Sequence, residues 1–111
     1  MLHEAHDQVS LEMGRRVVAR LREQPALLQI ARDNLDRWLR RNADAPALIR
    51  CYREWLAILE RPLGEICQTL CADTEEGRRL RQSSPFAGVL PPSEVWSIKA
   101  TIRERHAKTA A

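Results

Sequence analysis

The chain has 111 residues, 44% of them apolar and 30% charged, a length and balance that allow one helical or mixed core and exclude both a second domain and wholesale disorder. The net charge of +3 comes from 18 cations set against 15 acids. The signs are mixed along nearly the whole sequence and only residues 93–111 lean basic, so this is not the acid-free helix face that a phosphate-binding stripe requires.

The start, Met1-Leu2-His3-Glu4-Ala5-His6-Asp7, has no basic region followed by an apolar core, and no long apolar run follows, so neither a signal peptide nor a membrane span is expected. From Leu2 to Glu23 the residues Leu2, His6, Val9, Met13, Val17 and Leu21 drift round one side of a predicted helix. Leu11 and Val18 lie off that stripe, which predicts either several neighbours or a partner chain, and admits a second copy of this one. Gly14, costly in mid-helix, predicts a close helix crossing.

Pro25 occupies a first-turn position, and Leu28, Ala31, Leu35 and Trp38 continue a second amphipathic helix to Asn42. Pro46 opens a third, where Leu48, Cys51, Tyr52, Trp55, Leu56 and Leu59 give the cleanest stripe in the chain. Ile49 and Ile58 widen its arc, which predicts that this helix is central and the most buried. After Pro62 the pattern resumes with Leu63, Ile66, Cys67, Leu70 and Cys71 as far as about Ala72. Cys51, Cys67 and Cys71 are odd in number and stand at no disulfide or zinc spacing, which favours a reducing, cytoplasmic setting. Thr74 is placed to cap a short charged helix, Glu75 to Gln82.

The stretch Leu80-Arg81-Gln82-Ser83-Ser84-Pro85-Phe86-Ala87-Gly88-Val89-Leu90-Pro91-Pro92 holds three of the six prolines and the one phenylalanine. It cannot run as a helix or an interior strand, yet Phe86, Val89 and Leu90 are residues a chain buries. Two readings stand: an apolar strap closing one end of the core, or a docking segment for a partner. After Pro92 a last helix presents Val95, Ile98 and Ile102, and fraying is expected beyond His106. The expected fold is all-α: a single compact bundle of five to six helices over residues 1–111, with the irregular strap at about 83–91 before the last helix.

Chemistry-bearing patterns are sparse. His3 and His6 could put two imidazoles on one metal but have no third ligand nearby. His106 suits a helix-dipole partner better than a base. Cys67 and Cys71 read as buried apolar residues, and no phosphate loop, nucleophile elbow or zinc-protease motif occurs. No catalytic, metal or cofactor-binding residue is assigned, and a non-enzymatic role is expected. The helix pair around 63–82 could form a DNA reader with Arg78, Arg79, Arg81 and Gln82 facing outward.

Leu80-Arg81-Gln82-Ser83-Ser84-Pro85-Phe86-Ala87-Gly88-Val89-Leu90, followed by proline and then Glu94-x-Trp96-x-Ile98, resembles the C-terminal signature of small Arg-rich, generally uncharacterised bacterial helical proteins. Ile30-Ala31-Arg32-Asp33-Asn34-Leu35-Asp36-Arg37-Trp38 and Trp55-Leu56-Ala57-Ile58-Leu59-Glu60-Arg61-Pro62-Leu63 are similar too, so the likeness extends from about Val9 to Ile102. Pro91 departs from the pattern, which expects a capping serine, threonine or aspartate there. The resemblance implies a member of a toxin–antitoxin-type gene pair, in which this chain is the antitoxin.

The sequence therefore predicts a cytoplasmic, non-catalytic protein that binds and neutralises a co-encoded protein, with partner contacts from the exposed flank of the first helix near Leu11 and Val18. Phe86, Arg78 and Arg81 are further candidate contacts, with Phe86 expected to be buried in the free protein. The alternatives are a small DNA-binding transcriptional regulator, using the helix pair at 63–82, and a plain structural subunit.

Overall fold

Proline and threonine set most of the helix starts. The computed structural model describes residues 2–110, apart from the side chains of Leu2, His3 and Ala110. The elements among them are α1 (Leu2–Glu23), a 3₁₀ turn (Pro25–Leu27), α2 (Leu28–Arg41), α3 (Pro46–Leu59), α4 (Leu63–Cys71), α5 (Glu75–Gln82) and α6 (Pro92–Ala110). With no strand among the described residues, the fold is all-α. Pro25 opens the 3₁₀ turn rather than α2 itself. Pro46 and Pro92 each stand first in their helices, where the missing N–H has no partner to lose. Thr74 caps α5 as its position demands, its hydroxyl accepting the Gly77 N–H at 3.0 Å. Pro91 has no side chain to cap α6; its carbonyl instead accepts the N–H groups of Glu94 and Val95 at 3.0 and 3.2 Å. Past His106, where fraying is expected, α6 continues as far as Ala110.

The central helix is α1, which corrects the expectation for α3. α1 packs against α4, α5 and α6, whereas α3 packs mainly against α2 and α4 and reaches α5 and the strap through Glu54 and Trp55. Trp55, Ile58 and Leu59 of α3 are buried, but Leu48 is 41% exposed and Cys51 and Tyr52 are only half-buried. Val18 is likewise corrected. It is 6% exposed and belongs to the core with Val17 and Leu21, because α1 is wrapped by helices of its own chain on the flank predicted to be free. The close crossing predicted at Gly14 is present: a Cβ there would lie 2.3 Å from the Leu70 carbonyl oxygen, so only glycine lets α1 approach the end of α4.

The strap between α5 and α6 turns its apolar residues inward. Pro85, Phe86, Val89 and Leu90 are buried, while Ala87 and Gly88 face outward. Phe86 and Trp55 meet edge to face, with centroids 5.8 Å apart and planes at 79°. The Val89 N–H bonds the Phe86 carbonyl at 3.1 Å across a turn in which Gly88 has φ +96°, the geometry of a type II turn. Asn34 of α2, itself buried, donates from Nδ2 to the carbonyls of Pro85 at 2.8 Å and Ala87 at 2.9 Å. The strap thus closes the core, and a side-chain amide does for its backbone what a neighbouring strand would otherwise do.

Candidate functional site

Glu94 fixes where α6 starts. Its carboxylate, largely buried, accepts Arg16 Nη1 at 3.3 Å and pairs with Arg20, so the first turn of α6 is clamped onto α1. Two residues on, Trp96 is turned off the buried stripe of Ile98 and Ile102 and is 66% exposed. Lys99 stands over its ring at 5.6 Å, in cation–π range. The Glu94-x-Trp96-x-Ile98 signature therefore combines a clamp, an exposed ring and a core contact.

Beside Trp96 runs an apolar groove of about 630 Å³, bounded by α1, the strap and the start of α6. Val9, Met13 and Val17 form one wall, Phe86 and Leu90 another, with Val95 and Trp96 at the third. The volume is in the range of sites that hold a ligand or a partner side chain. His6 stands at its edge, and the groove also reaches Ser10, Arg81 and Gln82. His3, the other half of the candidate imidazole pair, has its side chain outside the described residues.

Arg81 is not the outward-facing residue expected of a DNA reader. It is 7% exposed, with Nε donating to Ser10 Oγ at 2.9 Å and Nη1 to the carbonyls of Ala72 at 2.6 Å and Leu70 at 3.4 Å. Those carbonyls end α4, so the guanidinium caps that helix and joins α1, α4 and α5. The physical reason is local: Gly77 brings the start of α5 against Ala72, where a Cβ would meet the Ala72 oxygen at 2.2 Å, and Leu80 and Arg81 follow on the same buried side of α5. Burial pushes the Arg81 pKa down, opposed by the charges of Asp73 and Asp7. The other α5 arginines are held by acids of the same chain. Arg79 grips Glu54 of α3 at 3.0 and 2.8 Å and pairs with Glu76, which keeps the Glu54 carboxyl below its ordinary pKa. Arg78 lies between Asp73 at 3.4 Å and Asp7 at 3.8 Å.

Of the residues singled out in the sequence, Phe86 and Arg81 come together along the groove. Arg78 stays on the α1–α5 surface and Val18 in the core. Leu11 is half-buried in a second groove of about 770 Å³ between α1 and α6, beside Ile98 and Ile102. Glu12, in the wall of this second groove, is paired with Arg15 and Arg16, and His106 Nε2 meets Gln8 Oε1 at 2.9 Å across it. Glu12 and His106 are therefore engaged by side chains of the same groove. Trp96 and the groove itself were missed in the sequence, although an aromatic residue off the Val95, Ile98 and Ile102 stripe was the available signal.

Comparison with protein-family models, with curated proteins and with solved structures finds no match. Among the described residues no helix is long and apolar enough to cross a membrane.

Proposed function

We propose that this chain is a non-catalytic, cytoplasmic protein-binding module that captures its partner in the groove beside Trp96. The carrying observation is the 66% exposure of that ring next to an apolar groove, in a chain whose other large aromatic side chains are half-buried or buried. A rigid aromatic side chain at the lip of a concave apolar surface is the kind of anchor that dominates binding energy at protein interfaces. The sequence resemblance suggests the partner: the co-encoded protein of a toxin–antitoxin-type pair, which this chain would neutralise by occupying its surface.

The test is co-expression with the product of the neighbouring reading frame. Trp96→Ala should leave stability within about 0.5 kcal/mol, as at exposed sites generally, and should weaken the complex by about 2 kcal/mol or more. A folded Trp96→Ala protein that binds at full strength would remove the groove from the proposal.

A further inference from the structure

Among the described residues, Arg81 Nη2 is the buried side-chain polar atom that has no hydrogen-bond partner. Everything else the guanidinium touches is a neutral oxygen, from Ser10, Leu70 and Ala72. The two acids whose charges reach it, Asp7 and Asp73, are both paired with Arg78. A cation taken out of water without a carboxylate is costly, and arginine does not relieve that cost by losing its proton. Arg81 borders the apolar groove, and neither aspartate nor glutamate is among the groove's lining residues; His6 is its other ionisable group. Low-dielectric walls around an unmatched positive charge favour an anion there more strongly than the same charge would in water.

On the protein-binding reading given above, we infer that the groove receives an apolar segment of the partner carrying an aspartate or glutamate, whose carboxylate pairs with Arg81. The apolar side chains of that segment lie against Val9, Met13, Phe86 and Leu90, and Trp96 covers it from the lip. Nη2 is closed to solvent in the free chain. Pairing therefore requires side-chain movement at the edge of the groove, where Gln82 is exposed.

The test uses a displayed library of random linear peptides selected on the wild-type chain, with the recovered peptides resynthesised. Selected peptides should share an acidic residue flanked by apolar ones and should bind Trp96→Ala more weakly. Replacing that acid by its amide should weaken binding to the wild-type chain by about tenfold or more, the scale of a lost charge-assisted hydrogen bond. Arg81→Gln, which removes the charge and is checked for folding by circular dichroism, should bind the acid and amide peptides with much closer affinities. If Arg81→Gln does not fold, His6→Ala and Lys99→Ala decide the matter: an acid preference kept by both supports Arg81, and its loss in either overturns the Arg81 pairing. Trp96-dependent peptides without a shared acid, or with an amide form that binds equally well, overturn the Arg81 pairing and leave the groove reading standing. Failure to select any Trp96-dependent peptide overturns the groove reading itself. Trp96-dependent binding of sodium dodecanoate without peptide binding would make the occupant a small amphiphile and overturn both.

Discussion

Asn34 and Trp55 both contact the strap, but they do so with different redundancy. Trp55 Nε1 donates to the Leu80 carbonyl at 2.9 Å, and that oxygen also receives the Ser83 N–H at 3.2 Å. Replacing Trp55 with phenylalanine therefore leaves the oxygen partnered and should cost only about 1–2 kcal/mol, whereas Trp55→Ala removes a fully buried ring and should cost about 3–5 kcal/mol. Asn34 has no such substitute: its amide alone joins the Pro85 and Ala87 carbonyls to α2, and its Oδ1 also receives Arg37. Two hydrogen bonds at about 1 kcal/mol each, with a small cavity added, put Asn34→Ala at about 2–3 kcal/mol. Urea denaturation with an unchanged m-value should show this ranking, with Trp55→Ala the worst and Trp55→Phe the mildest. An Asn34→Ala midpoint equal to that of the wild type would mean that the strap does not depend on α2.

At the level of elements, glycine separates two kinds of helix position. Gly14 sits in mid-helix, where alanine would add up to about 1 kcal/mol of helix propensity, but its Cβ would meet the backbone of Leu70, which cannot rotate away. Overpacking of this kind typically costs about 1–3 kcal/mol and should outweigh the gain, so Gly14→Ala should melt lower than the wild type. Gly64, in the first turn of α4, has nothing within 4 Å of its would-be Cβ. Gly64→Ala should therefore stabilise by about 0.4–1 kcal/mol through the unfolded chain, and a Gly14→Ala protein that melts at or above the wild type would contradict the packing at Gly14. Helix starts and the Gly14 crossing were legible because proline, threonine and glycine act through their own backbone. Centrality was not. A clean single stripe such as that of α3 reports burial on one side, while α1, surrounded by three helices, spreads Val17, Val18 and Leu21 around its circumference and so looks less regular.

At the scale of the whole molecule, the radius of gyration is 14.6 Å, against roughly 13 Å for a compact chain of this length. The excess fits the 45 Å long axis, since a 22-residue α1 by itself spans about 33 Å. Long α1 and α6 packed against shorter helices leave grooves along their contact. No periodicity reports such a groove, because it depends on how the strap returns beneath Trp96, and the inward turn of Arg81 was hidden for the same reason. The three free thiols sample this assembly at two depths: Cys51 on α3 and Cys71 at the end of α4 are half-buried, and Cys67 is buried in the core. Native thiol titration should modify Cys67 most slowly, at a rate limited by opening of the bundle, and rapid modification of Cys67 would contradict its burial. Burial, with a smaller contribution from neighbouring Cys67, raises the Cys71 pKa in the folded chain. As pH rises through the ordinary thiol value of about 8.5, the unfolded chain releases the Cys71 proton first, so this group favours unfolding progressively until the higher folded pKa is passed. Its contribution to stability is therefore complete below the ordinary thiol pKa and is lost on the alkaline side. Melting temperatures of wild type and Cys71→Ala, measured in parallel from neutral to alkaline pH, isolate that contribution from the lysines and Tyr52. The wild type should lose more on the alkaline side than the variant, and parallel curves would mean that Cys71 is no less hydrated in the folded chain than in the unfolded one.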